Sequence, residues 1–498
     1  MNETAPDADT RADEVAPADD ATIGDDDATI GDAKRPAPDA ADSDRLDPPS
    51  APRPPRPDGW PLVGNTFQFL RDPYGYYETL AREGDVAGYS IAGNEFVTLL
   101  RPEYVKRVLE NDVAEFRKPD LLRRSGGSFI EEGLFLQDGE EWRRNRTAMQ
   151  PTFYRERIEA YGESMARIAE GRADSWRDGE VLDLTEELSA FTLDVLTKTL
   201  FDVEMDERAE VIHDATLAVQ ERADASSLTA FLPNWVPTPA NRRFDRATAA
   251  FDDLVGELIA ERRASTSDEA GDPPGEDLLS LLLAVSFEDG SGLSDRKLRD
   301  HLVTMLFAGH ETSSLALSYA ILLLSQHPEK ADRLREEVET VAGDGRLGAA
   351  DVRHLDYTDR VLTETLRRYP PAAVLFREPV EPTTVGGYRV APGTTLTLPA
   401  FRIHNDPRWY DDPDAFRPER WTDEMEADLP EYAYFPFGGG PRHCIGMRFA
   451  TLEMKLALAT FVRRWAFDLR SDPDPDFVAA GTMRPEEPVR VRVRSRTE

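Results

Sequence analysis

The sequence predicts a mainly α-helical fold with small β-sheets, and three observations carry that prediction. Apolar residues recur at helical spacing from about residue 100 onward. Short β-like segments with Gly and Pro punctuation occur at 85–100, 383–400 and 488–495. No regular alternation of strand and helix patterns indicates a doubly wound parallel sheet. Length alone, at 498 residues, would favour two domains.

The chain is strongly acidic and poor in lysine. It has 95 acidic and 59 basic residues, a formal net charge of −36, and 7 lysines among the basic residues. A self-repelling surface of this kind is typical of proteins that stay soluble in strong salt, which indicates a halophilic archaeal source; an acidic protein of ordinary salt is the alternative. The charge argues against nucleic acid and anionic membranes as partners, since both carry the same sign.

Residues 1–58 differ in composition from the rest of the chain. They contain 16 acidic residues, 10 prolines and no aromatic residue. Such a segment buries too little apolar surface to offset chain entropy, so it is predicted to be disordered, with the folded domain spanning 59–498. No stretch approaches the ~20 apolar residues of a membrane-spanning helix, and the N-terminus lacks a secretory signal pattern. We therefore expect a soluble, cytoplasmic protein without a membrane span.

One predicted helix is unusually long. It runs from about Asp295 to His327, with Ser294 as a possible N-cap and Pro328 as the stop signal. These residues would span roughly 50 Å at ~1.5 Å each, enough to cross a whole domain.

The middle of this helix, "FAGHETSS", is polar in an unusual way. Gly309 destabilises a helix unless something must approach the backbone there. Thr312 can donate its hydroxyl to the carbonyl of Ala308, four residues earlier, which bends a helix and opens a polar notch. Together with Glu311, this notch could deliver protons beside a buried reaction centre. A polar strip that faces solvent is the alternative.

The segment "TETLRRYPP" contains a possible ion pair. Glu364 and Arg367 are three residues apart and can pair on one helical face. Leu362, Leu366 and Tyr369 form the apolar stripe of the same helix. Periodicity therefore predicts that the pair faces solvent. There it would stabilise the fold by only about 0.3 kcal/mol.

The only cysteine, Cys444, lies in the segment "FGGGPRHCIG". It precedes a helical pattern, and the N-terminal end of a helix favours a thiolate. The glycines allow the backbone to pack against a large flat group, and Arg442 could pair with an anionic group of the same ligand. One thiolate cannot build a zinc site, and a nucleophilic cysteine would need a base to orient it. Axial ligation of haem iron needs one cysteine alone.

At five positions this segment resembles the haem-binding signature of the cytochrome P450 family, namely Phe437, Gly440, Arg442, Cys444 and Gly446. The resemblance extends from about Gly59 to the C-terminus. It implies one large helical domain around a buried haem b, against the two domains that length favours.

The resemblance also implies a role for each motif. Cys444 would be the axial ligand of the haem iron, and Glu311 and Thr312 would form the acid–threonine pair that helps deliver protons to dioxygen. Glu364 and Arg367 would form a buried structural pair that Arg420 completes. The remaining residues implied to bind the cofactor are Ala308 and Gly309 on the long helix, Phe437, Gly440 and Gly446 in the cysteine segment, and Trp142, Arg146, Arg377 and Arg442 as donors to the haem propionates.

The implied activity is that of a haem-thiolate monooxygenase. It would insert one oxygen atom from O2 into an apolar small molecule, by hydroxylation or epoxidation, with electrons from a separate ferredoxin-type donor and its reductase. Arg143, Arg144 and Arg448 would offer that donor a basic patch. A peroxide-driven haem-thiolate peroxygenase and a non-enzymatic haem-based sensor are the alternatives.

Overall fold

The structure is a computed structural model of the chain. It describes residues 50–125, 130, 132–202, 207–223, 236, 238–268, 277–285, 287, 292–343 and 345–496. All of these residues belong to one compact unit. Residues 1–49, most of the tail that is predicted to be disordered, lie outside the described residues.

Helices dominate the described residues, as the sequence predicts. The α-helices are α1 (Thr66–Arg71), α2 (Tyr76–Glu83), α3 (Pro102–Lys106), α4 (Asp120–Ser125), α5 (Gly139–Met149), α6 (Arg155–Ser175), α7 (Leu184–Phe201), α8 (Glu207–Ala223), α9 (Pro239–Asp268), α10 (Leu278–Leu283), α11 (Asp295–Gln326), α12 (Pro328–Ala342), α13 (Asp356–Arg368), α14 (Ala400–Ile403), α15 (Asp423–Asp428) and α16 (Met447–Arg464). A π-helical turn over Arg107–Asn111 follows α3.

The strands form small sheets. They are β1 (Val86–Ile91), β2 (Asn94–Leu99), β3 (Phe116–Arg117), β4 (Val181–Asp183), β5 (Val374–Pro379), β6 (Thr383–Val385), β7 (Tyr388–Val390), β8 (Thr395–Pro399), β9 (Trp465–Leu469), β10 (Phe477–Ala480), β11 (Thr482–Pro485) and β12 (Arg490–Ser495). The largest sheet has the order β1-β2-β8-β5-β3, with β2 and β8 parallel and its other pairs antiparallel. The predicted class, mainly α with small β-sheets, is confirmed.

Helix α11 has nearly the predicted bounds. The Ser294 hydroxyl accepts a hydrogen bond from the Lys297 backbone N–H at 3.2 Å, which caps the first turn. The helix packs against α7, α9, α13 and α16, and most of its side chains are buried. Because α11 crosses the main apolar core, its few accessible residues indicate where the core leaves space beside the helix.

The predicted domain start at residue 59 is wrong, because the preceding prolines pack on the folded unit. We call residues 51–57 the proline strap. The carbonyl of Pro55 accepts a hydrogen bond from Gly88 N on β1 at 2.7 Å, and the carbonyl of Pro52 accepts one from Arg389 N at 2.9 Å. Proline lacks an N–H but keeps its carbonyl, so a proline-rich segment can still accept hydrogen bonds from a sheet.

None of the helices in the described residues combines the length and the apolar character that crossing a membrane requires.

Candidate functional site

The centre of α11 has a short accessible segment between two buried stretches. Residues 301–306 and 313–324 are buried, whereas Ala308 is exposed and Phe307, Gly309, Glu311 and Thr312 are partly exposed. An exposed alanine in the middle of a core helix indicates that the helix borders an internal space. Of the two alternatives for this segment, a strip on the outer surface does not agree with the burial on both sides.

Thr312 makes the hydrogen bond that the sequence predicts. Its Oγ1 donates to the carbonyl oxygen of Ala308 at 2.6 Å. The neighbouring carbonyls of α11 also accept hydroxyl groups: Thr192 donates to His310 O at 3.0 Å, and Ser314 donates to Glu311 O at 2.9 Å. In this turn, side-chain hydroxyls therefore compete with backbone N–H groups for the carbonyl oxygens. This turn is the polar notch of the helix.

Cys444 lies three residues before α16, in a loop held by its own backbone. The Cys444 N–H donates to Phe437 O at 2.9 Å, and the Met447 N–H donates to Cys444 O at 3.4 Å. The Cys444 side chain is exposed. A Cβ added to Gly438 would lie 3.7 Å from Leu375 Cδ1 on β5, so the loop and β5 are neighbours.

The environment of the thiol differs from the one that the sequence predicts. Surrounding protein raises the pKa of the Cys444 thiol through desolvation, and only the Gly446 N–H and the Arg146 charge oppose that effect. The Cys444 side chain is thus exposed, although enough protein surrounds its thiol to desolvate it. Desolvation therefore opposes the thiolate that a helix N-terminus favours, whereas coordination to a metal ion would favour it.

Gly440, which the resemblance implies to bind the cofactor, and its neighbour Gly439 also pack closely against protein. Gly440 has a φ of +60°, and a Cβ there would lie 1.9 Å from Leu109 O in the π-helical turn. A Cβ on Gly439 would lie 2.2 Å from the ring of Tyr432. These two glycines are therefore required for close packing of the loop on its neighbours.

Gly309, which the resemblance also implies to bind the cofactor, lies against α7. A Cβ at this position would lie 3.0 Å from Leu196 Cδ2 on α7. What approaches the backbone of α11 at Gly309 is thus the neighbouring helix, and the exposed side chain beside it is that of Ala308.

Three of the predicted propionate-binding residues lie together. Arg442 donates to Asp138 Oδ1 at 2.7 Å, and its guanidinium lies 4.6 Å from the centroid of the Trp142 ring. Arg377 is 5% exposed and donates to Phe376 O at 2.8 Å. Burial lowers the pKa of Arg377 to about 10, and the charge of Arg442 adds to that effect.

The same cluster includes Lys118, which the sequence analysis missed because no motif surrounds it. Burial lowers the pKa of Lys118 strongly, followed by repulsion from Arg377 and Arg442. Asp138 is the carboxylate that the described residues place among these cations, and it also pairs with Arg123 at 2.7 Å. The cluster thus brings three basic side chains, buried Arg377 and partly exposed Lys118 and Arg442, around one carboxylate. It therefore fits a ligand with carboxylate groups, such as the two propionates of haem.

Arg146 is placed differently from the other three. Its Nη1 donates to His443 O at 3.1 Å, and its Nη2 lies 3.3 Å from His443 Nε2. Burial lowers the pKa of Arg146 to about 10. In this structure Arg146 holds the residue before Cys444, a contact that the sequence analysis did not identify for His443.

Glu364 and Arg367 are fully buried, so the solvent-facing position that periodicity predicts is wrong. Arg367 donates to Glu364 through Nε and Nη2, both at 2.9 Å. Arg420 donates to the same carboxylate at 3.0 Å, and Trp421 Nε1 donates to it at 2.9 Å. The arrangement is the one that the resemblance implies, a buried pair completed by Arg420.

Two of the three arginines expected to form a basic patch have partners nearby. Arg143 pairs with Glu140 on the same helix. The guanidinium of Arg144 lies 3.7 Å from the centroid of the Phe287 ring. Arg448 is exposed beside the cysteine loop. Within the patch, the charge of Arg143 is therefore offset by Glu140, whereas the Phe287 ring leaves the charge of Arg144 in place.

Comparison with known proteins agrees with this geometry. Residues 54–493 match the family described as Cytochrome P450. Pentalenene oxygenase of Streptomyces avermitilis is 33% identical over 448 residues, covering 89% of this chain and 97% of the relative. Cyclooctat-9-en-7-ol 5-monooxygenase of Streptomyces melanosporofaciens is 33% identical over 414 residues, covering 82% of this chain and 88% of the relative.

A solved structure shows the same architecture. The retinoic acid-bound cyanobacterial CYP120A1 superposes with a TM-score of 0.79 at 27% identity, over 90% of this chain and 100% of that chain. The fold implied by the cysteine signature is confirmed.

Proposed function

The chain belongs to the cytochrome P450 family, and from this premise we propose the substrate, the electron donor and the residue roles of its reaction. The enzyme is a haem-thiolate monooxygenase that incorporates oxygen from O2. We propose a terpene-like hydrocarbon as the substrate, because relatives of 33% identity carry the names of a pentalenene oxygenase and a cyclooctat-9-en-7-ol monooxygenase. Half-buried apolar side chains such as Phe307, Val374 and Leu375 agree with an apolar substrate.

The observation that carries this proposal is an exposed lone thiol in a protein that also gathers three basic side chains around one carboxylate. Cys444 would hold haem b through its sulfur, and Arg377, Arg442 and Lys118 would neutralise its carboxylates. When bound, a thiolate-ligated haem supplies the oxidising chemistry that activates dioxygen. Phe437 would orient the thiol through its carbonyl, and the Gly446 N–H would donate towards the sulfur.

Glu311 and Thr312 would manage protons in the internal space. The Thr312 proton lies in the bond to Ala308 O, so Oγ1 presents its lone pairs and can accept a second hydrogen bond. Rotation of the hydroxyl would then pass a proton on, and the Glu311 carboxyl beside it would replace that proton. Neither alternative, a peroxygenase or a sensor, gives these two residues such a task.

Replacing Thr312 with alanine tests this proposal. The variant should keep the wild-type haem spectrum but divert electrons from product to peroxide, because proton delivery fails. The measurement is oxidised product and peroxide per electron, with reductant plus a ferredoxin and its reductase. Thr312→Ser, which keeps the hydroxyl, is the control and should restore most of the product.

The same assay separates the alternatives. A peroxygenase would form product from peroxide alone at the full rate, and a sensor would form none under either condition. Equal product per electron in Thr312→Ala and wild type would contradict the proton role of Thr312.

We also propose a ferredoxin-type donor in the cytoplasm as the source of electrons. Exposed Arg448, one turn from Cys444, offers it a positive charge in a chain of net charge −36. Because Arg143 and Arg144 already have partners, short-range contacts would contribute more to this complex than long-range attraction.

We attribute the acidic composition to life in strong salt, and this attribution predicts a salt-dependent stability. The melting temperature should rise between about 0.1 M and about 3 M KCl, because the Debye length falls from ~10 Å to less than ~3 Å and self-repulsion is screened. Sucrose is the control, since it favours burial without screening charge. If sucrose and KCl stabilise equally, or KCl destabilises, charge repulsion is not the cause.

A further inference from the structure

A β-hairpin reaches the carboxylate of Glu311 from outside α11. Strands β10 and β11 pair from Phe477↔Pro485 to Ala480↔Thr482, with Gly481 at the turn. Thr482 Oγ1 donates to Glu311 Oε1 at 2.7 Å, between residues 171 positions apart in the chain. This hydrogen bond joins the hairpin to the residue that precedes Thr312.

Met483, close to the turn of the hairpin, is fixed to the core by two hydrogen bonds. The Met483 N–H donates to Pro371 O at 2.8 Å. The carbonyl of Met483 accepts the hydroxyl of Tyr319, which lies eight residues after Glu311 on the same helix. Met483 is 5% exposed and Tyr319 is fully buried. The position of Thr482 relative to α11 is therefore set by two anchors on the adjacent residue.

Aromatic contacts add to this attachment. The Phe477 ring lies 5.4 Å from that of Tyr369 and 6.0 Å from that of Tyr319, measured between centroids. Hydroxyl bonds to carboxylates are stronger than neutral hydrogen bonds and fix the orientation of the acceptor. An anchored donor thus holds one oxygen of Glu311 in a defined place.

We propose that Thr482 is a positioning residue for Glu311, which keeps the carboxylate in the orientation needed to supply protons to Thr312. The inference rests on the proposed proton role of Glu311. Its consequence is that the C-terminal hairpin, far from α11 in sequence, tunes how electrons divide between product and peroxide.

The test replaces Thr482 with valine, which keeps the shape and removes the hydroxyl, and with serine, which restores it. Thr383→Val is a matched control, because Thr383 donates to Glu115 at 3.2 Å in another part of the fold. The first measurement is the unfolding midpoint of the holoenzyme for Thr482→Val, Glu311→Ala and the double variant. The effect of Thr482→Val should be much smaller when Glu311 is absent.

The second measurement is the ratio of peroxide to oxidised product. In Thr482→Val it should rise about tenfold, the rate equivalent of one hydrogen bond to a charged group. Thr482→Ser should return it towards wild type, Thr383→Val should leave it unchanged, and Thr482→Val should add nothing to Glu311→Ala.

Each contrary outcome has a distinct meaning. Additive unfolding midpoints would show that Thr482 does not hold Glu311, and would overturn the inference. An unchanged ratio in Thr482→Val, with a raised ratio in Glu311→Ala, would overturn the positioning role alone. An unchanged ratio in Glu311→Ala itself would overturn both the inference and the proposed role of the acid.

Discussion

Cys444→Ser should abolish the strongly red-shifted Soret band of the reduced, CO-bound protein and reduce product formation to background. A serine hydroxyl does not ionise at physiological pH, so it cannot replace a thiolate as a strong electron donor to iron. The fold should persist, because the loop is held by backbone hydrogen bonds such as Cys444 N to Phe437 O. The CO difference spectrum and a product assay are the measurements.

The control for this variant is Thr312→Ala, which keeps the cysteine and should keep the red-shifted band. An unfolding curve of Cys444→Ser should show that loss of the band does not come from loss of structure. If the serine variant retained the wild-type spectrum, the haem would be bound through another residue.

Glu364→Ala should lower the free energy of unfolding by about 3–5 kcal/mol, because it leaves buried cations without their carboxylate. Arg367 is 0% exposed and Arg420 is 8% exposed, and both donate to Glu364. Domains of ordinary stability have only about 5–15 kcal/mol in total. We therefore expect little folded protein from this variant, and Glu364→Gln, which keeps an acceptor oxygen, provides a milder measure by urea unfolding.

The matched control is Glu140→Ala. Glu140 and Arg143 have the same three-residue spacing in α5, but their side chains are 88% and 48% exposed. Loss of such a surface pair should cost no more than about 0.5 kcal/mol. Similar losses for the two alanine variants would show that burial does not set the strength of the Glu364 pair.

Features that depend on neighbouring residues could be predicted from the sequence, whereas contacts between distant residues could not. The bounds of α11 could be predicted, since a serine cap, a long apolar run and a proline stop are all local. The Thr312 bond to Ala308 is equally local, because it spans one helical turn. The burial of Glu364 could not be predicted from periodicity, since Arg420 and Trp421 reach it from more than fifty positions away in the chain.

The candidate site shows the same division. The cysteine motif identifies the family and hence the fold around the site. The close packing at Gly309 and Gly440 involves Leu196 and Leu109, which are distant in sequence. Lys118 has no motif at all and is recognised only once the fold places it beside Arg377.

The proline strap has a consequence for how the molecules behave at high concentration. Strand β1 is the outermost strand of the largest sheet, and an uncovered edge strand can pair with the edge of another molecule. Pro55 occupies the N–H of Gly88 on that edge, and Asn65 N donates to Ser90 O at 2.7 Å further along it. Because most of the strap is proline, its own outer side offers few N–H groups for a further strand. The strap therefore protects the β1 edge of the sheet against edge-to-edge aggregation, a risk that grows when strong salt screens the repulsion between acidic molecules.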